Sequence, residues 1–348
     1  MKRLLQWILG LGISGVLLWL ALRGVDLGQA VVAMRRVAWW VYPAYFLLLC
    51  AQYLLRTWRW QLQMDRLTGR HMPFWDAFST CCVSFAAIFL LPFRLGEFVR
   101  PYLAAQLGFG RKSSSLATVA VERVLDGLVM TAFLALLLVG MGDREVPVVI
   151  AMGGWLALLV FGSAMGVFVA AYRWREPSLR FWAAVLRPFP ARVSEKLLGM
   201  LRAFIDGLKS LPTVRDMAAY LAMTVAYWIL NGLAMWLLAV GMGLGVPLLG
   251  GYFTLACLVV GITIPAGPGN VGNFEYAIQV SLSVFGVSQT DGAAYAIWTH
   301  LFQMLHMMAM ALPFLLVGKV TYARVARATH GDLSDPPPPG ESAPPATH

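Results

Sequence analysis

An all-α integral membrane protein built on a duplicated unit is the fold class that three features of this 348-residue sequence predict. Hydrophobic residues make up 59% of the chain and charged residues 13%, where a soluble domain carries roughly a quarter charged. Mean hydropathy is +0.70. Six runs, 4–22, 39–55, 116–140, 148–172, 217–240 and 293–317, approach or exceed the ~20 apolar residues that carry a helix across a bilayer with its backbone hydrogen bonds satisfied internally. The third feature is a repeat: Pro92-Phe93-Arg94-Leu95-Gly96-Glu97-Phe98 returns 176 residues later as Pro268-Gly269-Asn270-Val271-Gly272-Asn273-Phe274. The same offset pairs Phe109-Gly110 with Phe285-Gly286 and Gly142 with Gly318. Duplication around Gly- and Pro-interrupted apolar segments points to a membrane carrier whose two halves meet at a midplane site.

The elements follow in order. Met1-Lys2-Arg3 before an apolar run looks like a secretory leader, but no small-x-small cleavage pattern precedes Arg23, so a retained first span is expected. Lys2 and Arg3 place the N-terminus on the cytoplasmic side. The second span returns to a basic loop holding Arg56, Arg59, Arg66 and Arg70. Residues 74–110 are then expected to enter and turn back, since a crossing would put 173–215, with nine Lys and Arg against three acids, outside. The loop at Asp143-Arg144-Glu145 is external on this scheme, and 173–215 forms a cytoplasmic linker. Within it, Val193, Leu197, Leu198, Leu201, Phe204, Ile205 and Leu208 recur at helical spacing opposite Arg192, Lys196, Arg202 and Lys209, an amphipathic helix on the inner surface.

The fifth span exits, 246–290 dips in from outside, and the sixth span returns to a tail with Lys319, Arg324 and Arg327. Both motif copies then lie on re-entrant helical hairpins of opposite orientation, so about six transmembrane helices and two hairpins form an inverted repeat, about 1–142 and 148–318. The transmembrane domain occupies 1–325. Residues 331–348, rich in Pro and Ser, are expected to be a disordered cytoplasmic tail.

A net charge of +10 raises nucleic acid as a partner, but the basic residues flank apolar spans, where the anionic cytoplasmic leaflet is the natural partner. Cys50, Cys81, Cys82 and Cys257 fall in apolar segments without ligand spacing and read as small core residues. No metal or cofactor is called for.

The first motif sets Arg94, Glu97 and Arg100 at i, i+3 and i+6 on a helix beginning near Pro92. Two guanidinium groups beside one carboxylate form a net positive pocket suited to a phosphate; a surface ion pair is the plainer alternative. Glu122 and Asp126 share a helix face, ~12 Å into a helix counted from Ser114, and Arg123 is spaced to pair with Asp126. A salt bridge to the first hairpin and a proton or substrate role are both open there.

In the second motif, Gly267, Pro268, Gly269 and Gly272 build a tight turn, as Pro92 and Gly96 shape the first. Asn270 belongs to the turn, and a helix from Asn273, with Glu275 in its first turn, aims its positive end at it. This reads as an anion site or as a capped turn. Gly267, Gly269 and Gly272 also match G-x-G-x-x-G, but no strand-helix-strand context exists to support a dinucleotide site. His300 and His306 sit six apart, on different faces, and read as core hydrogen-bonding groups.

With these residues in view the chain resembles the lysylphosphatidylglycerol synthase transmembrane-region family, flippase-like membrane proteins, over roughly 4–324. The resemblance rests on Pro92 to Glu97 with Arg100, on Glu122-Arg123 with Asp126, and on Pro268 to Gly272 with Glu275. It implies a multi-pass protein of the bacterial inner membrane, and that the family's Arg-Gly-Glu motif falls on Arg94, Gly96 and Glu97. Two positions depart: Asn270 replaces a second glycine, and His300 stands near an expected arginine. The soluble aminoacyl-transferring domain of full synthases has no counterpart, so the chain is expected not to make lysyl-phosphatidylglycerol itself.

The expected function is lipid translocation without catalysis, with an anionic or zwitterionic headgroup gripped by Arg94 and Arg100 and passed to the turn at 267–272. A gradient or the membrane potential would drive it. A membrane-embedded lipid-phosphate transferase or hydrolase, with Glu97, Glu122 or Asp126 as base, is the enzyme alternative. A partner of a separately encoded lipid-modifying enzyme is the third.

Overall fold

A computed structural model describes residues 2–140, 146–188, 190–210, 213–263 and 267–316, and the side chains within them except those of 2–10, 92–94, 191–192 and 209. Regular structure among the described residues is entirely helical. Helix α1 (Lys2–Leu22) meets α2 (Leu27–Arg35) at a bend of 79°. Asp26 makes that corner by accepting the Gln29 amide as an N-cap. The 28-residue α3 (Val41–Thr68) closes on Gly69, whose φ of +64° suits a residue without a Cβ. Then come α4 (Phe74–Leu90), a 3₁₀ helix (Pro92–Phe98), α5 (Val99–Gln106), α6 (Lys112–Gly140), α7 (Val148–Arg173), α8 (Arg175–Val185) and α9 (Ala191–Gly207). The chain continues through α10 (Val214–Gly241), α11 (Leu248–Gly261), a 3₁₀ turn (Pro268–Asn270), α12 (Asn273–Ser283) and α13 (Gln289–Leu316).

The described part of every apolar run singled out in the sequence is helical, save the turn at 39–40. By length and composition α6, α7, α10 and α13 can each cross a membrane, and the bent α1–α2 pair is a fifth candidate. Helix α3 is as long as α10 and α13 but not apolar enough to qualify by the same measure, and the sequence reading of where it ends is corrected. Arg56, Arg59 and Arg66 do not lie in a loop after residue 55; they ride on α3 itself, and Arg59 is fully buried. The helix keeps going past its apolar stretch because carboxylates on other helices neutralise it.

The 176-residue offset extends to the helices. Adding it to α3 gives 217–244, against 214–241 for α10; adding it to α4 gives 250–266, against 248–261 for α11; adding it to α6 gives 288–316, against 289–316 for α13. Packing is reciprocal as well: α3 lies against α10, α4 against α13, and α11 against α6. The largest apolar core, including Tyr45, Leu134, Leu238, Phe253, Ile278 and Trp298, spans both halves. The four cysteines are free thiols, buried at Cys81, Cys82 and Cys257 and half-buried at Cys50.

Helix α9 occupies most of the predicted amphipathic stretch and docks on α6. A Cβ at Gly207 would stand 2.5 Å from the Ser114 carbonyl oxygen, and Ile205 is buried there while Val193 and Leu197 remain exposed. Helix α8 had no periodic signal that set it apart. The loop at 141–145, Gly318 and the tail 331–348 lie outside the described residues.

Candidate functional site

Pro92 opens the first 3₁₀ helix, where its missing N–H costs nothing. Gly96 then lets this segment lie directly on α4, since a Cβ there would sit 2.0 Å from the Ile88 amide nitrogen. That contact fixes which way the next residues face. Glu97 Oε1 lies 3.0 Å from Arg123 Nε, and Arg100 Nη1 donates to Glu122 Oε2 at 2.7 Å. The motif is thus tied to α6 by two adjacent, oppositely ordered ion pairs. Arg123 pairs with Glu97 and not with Asp126 as its spacing suggested; the side chains of Pro92 and Arg94 lie outside the described residues.

Asp126 belongs to Arg59. The guanidinium makes a two-pronged contact, Nη1 to Oδ1 at 2.6 Å and Nη2 to Oδ2 at 2.9 Å, and Nη1 also donates to Thr224 Oγ1 at 3.1 Å. Its Nη2 sits 3.0 Å from Glu122 Oε1, a contact of charge without hydrogen-bond alignment. Arg59 lies near the Tyr220 ring, and Arg100 near Trp60 and Phe85. Glu122 is ten residues into α6, ~15 Å from its start, so a carboxylate serving two buried arginines stands well inside the bundle. Charges at such depth persist only when paired.

The second motif solves the same problem with a histidine. Gly269 (φ +70°), Asn270 (φ +56°) and Gly272 (φ +93°) all adopt left-handed backbone, and asparagine is the residue that best replaces glycine there. The turn leans on α1: the Gly267 amide donates to Ser14 Oγ at 2.9 Å, and a Cβ at Gly272 would stand 2.4 Å from the Ser14 carbonyl oxygen. Glu275 Oε2 accepts the Gly272 amide at 2.7 Å, while Oε1 meets His300 Nδ1. His300 Nε2 is 2.9 Å from the Gly269 carbonyl oxygen, and its ring stacks on Phe274. Asn273 is buried, with Nδ2 donating to the Gly261 carbonyl at 3.3 Å.

A carbonyl can only accept, so His300 Nε2 carries a proton. Cutting the His300–Glu275 pair is expected to cost stability: His300→Ala should lower the melting temperature by the equivalent of ~3 kcal/mol, as a buried carboxylate losing its partner does. His300→Ala/Glu275→Gln should recover much of it, which thermal unfolding in detergent would read.

The two motif copies touch. The first 3₁₀ helix and α4 both pack on the turn at Pro268–Asn270, and Phe89 at the end of α4 presents its ring edge to His300, centroids 5.3 Å apart. Of the residues singled out in the sequence, Glu97, Arg100, Glu122, Arg123 and Asp126 come together at one motif, and Asn270, Asn273 and Glu275 at the other. Arg56, Arg59, Thr224 and Ser14 were missed. Arg56 and Arg59, one turn apart and followed by Trp60, carried the signal that could have placed them on a helix face.

A family model described as lysylphosphatidylglycerol synthase TM region matches residues 7–311. No curated protein and no solved structure matches the chain.

Proposed function

Because this chain belongs to the lysylphosphatidylglycerol synthase transmembrane-region family over residues 7–311, we propose that it carries the polar headgroup of a membrane lipid between leaflets. One observation bears most of the weight: the two copies of a polar, Gly- and Pro-broken motif meet inside a bundle of long apolar helices. Short helices ending at such a meeting point are how a carrier offers polar contacts at the midplane without exposing backbone to lipid.

On this reading α4–α5 and α11–α12 are re-entrant hairpins from opposite faces, and the remaining long helices with α1–α2 make six spans. The arginine-rich α8–α9 segment is cytoplasmic, as are both termini, in a bacterial inner membrane. Arg100 and Glu122 are fully buried and committed to one another. The headgroup therefore meets the Glu97–Arg123 pair, whose side chains are 22% and 25% exposed. An apolar cavity of about 570 Å³ between α7, α11 and α12, bordered by Gly153, Leu156, Val260 and Tyr276, suits an acyl chain beside the second motif. The chain itself makes and breaks no covalent bond in this scheme.

The test uses proteoliposomes with a fluorescent anionic or zwitterionic phospholipid and a membrane-impermeant quencher. Wild type should expose inner-leaflet probe, and Glu97→Gln or Arg123→Gln should slow exposure by about tenfold, the kinetic equivalent of one charge-assisted hydrogen bond. Wild-type rates equal to protein-free liposomes for both lipid classes would end the translocase reading in favour of a non-transporting partner.

A further inference from the structure

Arg56 stands apart from the ion pairs that hold its neighbours. Its Nη2 is 3.7 Å from Glu122 Oε1, too far for a hydrogen bond, and that carboxylate is already held by Arg59 and Arg100. The guanidinium is stacked on the Phe85 ring, 3.6 Å from its centroid. It faces a cavity of about 60 Å³ where α3, α10 and α13 meet, lined by Gln52, Tyr53, Asn231, Gln303 and His306 among others. That volume holds on the order of four waters, or one small tetrahedral ion in their place.

The lining is rich in donors without partners. Gln52 Nε2, Tyr53 Oη and Arg56 Nε are buried and reach no protein acceptor, although Gln52 and Tyr53 are only 5% and 4% exposed. The other cavity amides are occupied: Asn231 Nδ2 donates to the Tyr227 carbonyl at 2.9 Å, and Gln303 Nε2 to Tyr45 Oη at 3.3 Å. His306 Nε2 meets Cys50 Sγ at 3.6 Å.

Charge points the same way. Among the described side chains the cluster holds Arg56, Arg59, Arg100 and Arg123 against Glu97, Glu122 and Asp126, four positive and three negative, leaving +1. An unbalanced cation inside an apolar bundle calls for an anion. Water offers as many donors as acceptors, whereas the unprotonated oxygens of a phosphate group only accept, and the planar fork of an arginine matches them.

We propose that this cavity seats one phosphate-type oxyanion on Arg56, Tyr53 and Gln52. Its source is either the phosphodiester of a lipid headgroup, which rests on the translocase reading, or free inorganic phosphate, which does not. The seat lies beside Glu122 and shares that carboxylate's field, so an arriving anion completes the charge balance of the ion cluster.

Full-length protein in maltoside detergent would be titrated separately with inorganic phosphate, short-chain phosphatidylglycerol and short-chain diacylglycerol, with binding read by native mass spectrometry. Wild type should bind phosphatidylglycerol, phosphate or both, and diacylglycerol at least about tenfold more weakly, the cost of losing the charge-assisted contacts. Binding of phosphatidylglycerol alone assigns the seat to a lipid; binding of phosphate identifies a free-anion seat. Arg56→Gln should weaken binding by about tenfold or more and Arg56→Lys should restore part of it. Tyr53→Phe and Gln52→Leu, which leave every charge in place, should each weaken it several-fold at an unchanged melting temperature.

The seat is overturned if wild type binds neither phosphate compound, or if Tyr53→Phe, Gln52→Leu and Arg56→Gln all bind as tightly as wild type. The flipping assay on the same samples separates the two readings. Wild-type binding without lipid exposure keeps the seat and removes the translocase. Lipid exposure with binding untouched by the three variants does the reverse.

Discussion

Glu122→Ala is expected to be the most damaging carboxylate substitution in this protein, lowering detergent-solubilised yield and melting temperature well below those of Asp126→Ala or Glu97→Ala. Glu122 is the carboxylate shared by Arg100, Arg59 and, at longer range, Arg56. Truncating it leaves Arg100, 1% exposed, with no other counter-ion among the described side chains. Removing one member of a buried pair costs roughly 3–5 kcal/mol, because the charge left behind has neither water nor partner. Asp126→Ala is milder, since Arg59 keeps Glu122 and Thr224. Glu97→Ala is milder again, because both Glu97 and Arg123 retain solvent contact.

The control is a double substitution, Arg100→Met/Glu122→Gln. If the loss in Glu122→Ala comes from stranded charge, removing Arg100 at the same time should return much of the melting temperature; Arg59 would still have Asp126. If the double variant is no more stable than Glu122→Ala, the cluster is not electrostatically coupled and its arginines are independent.

This cluster also marks the limit of what the sequence could tell. Apolar length located every long helix, because a helix that satisfies its own backbone needs only a long enough run of side chains that tolerate lipid. Arginine defeated the same logic on α3. The positive-inside rule treats Arg56 and Arg59 as loop markers, yet α3 continues for another turn and more because Glu122 and Asp126, over sixty residues away, cancel their charge. Helical spacing likewise said that Glu122 and Asp126 share a face, and they do meet one arginine. It could not say whose arginine, since Arg123 at i+1 turns instead toward Glu97 on another element. His300 had no visible partner for the same reason: Glu275 is 25 residues away and reaches it only after the turn folds. The 176-residue spacing was legible in the sequence, and helix bounds in the two halves fall within a few residues of the same offset.

The repeated glycine carries the other large expected effect. Gly96→Ala and Gly272→Ala should each abolish headgroup transport and lower stability, whereas Gly199→Ala, an open helical site with nothing within 4 Å of its would-be Cβ, should be neutral or slightly stabilising. The two positions fail for different reasons. Gly96 has no need of left-handed backbone, but its Cβ would lie 2.0 Å from Ile88 N and 2.2 Å from the Ala87 carbonyl carbon, main-chain atoms that no rotamer change can clear. Ordinary contact begins near 3.4 Å, so the 3₁₀ helix must retreat from α4 by about 1.4 Å (3.4 − 2.0). A shift of that size at the next residue pulls Glu97 out of its 3.0 Å contact with Arg123. Gly272 meets two obstacles at once, a φ of +93° and the Ser14 carbonyl oxygen 2.4 Å away. Its displacement would break the Glu275 cap and release His300 from the turn. Hydrogen exchange over 92–106 and 267–283 should therefore rise locally in the matching variant and spread to the other motif, because the two turns pack on one another. Unchanged exchange at the unsubstituted motif would mean that the halves move independently, and a midplane site shared between them would then be ruled out.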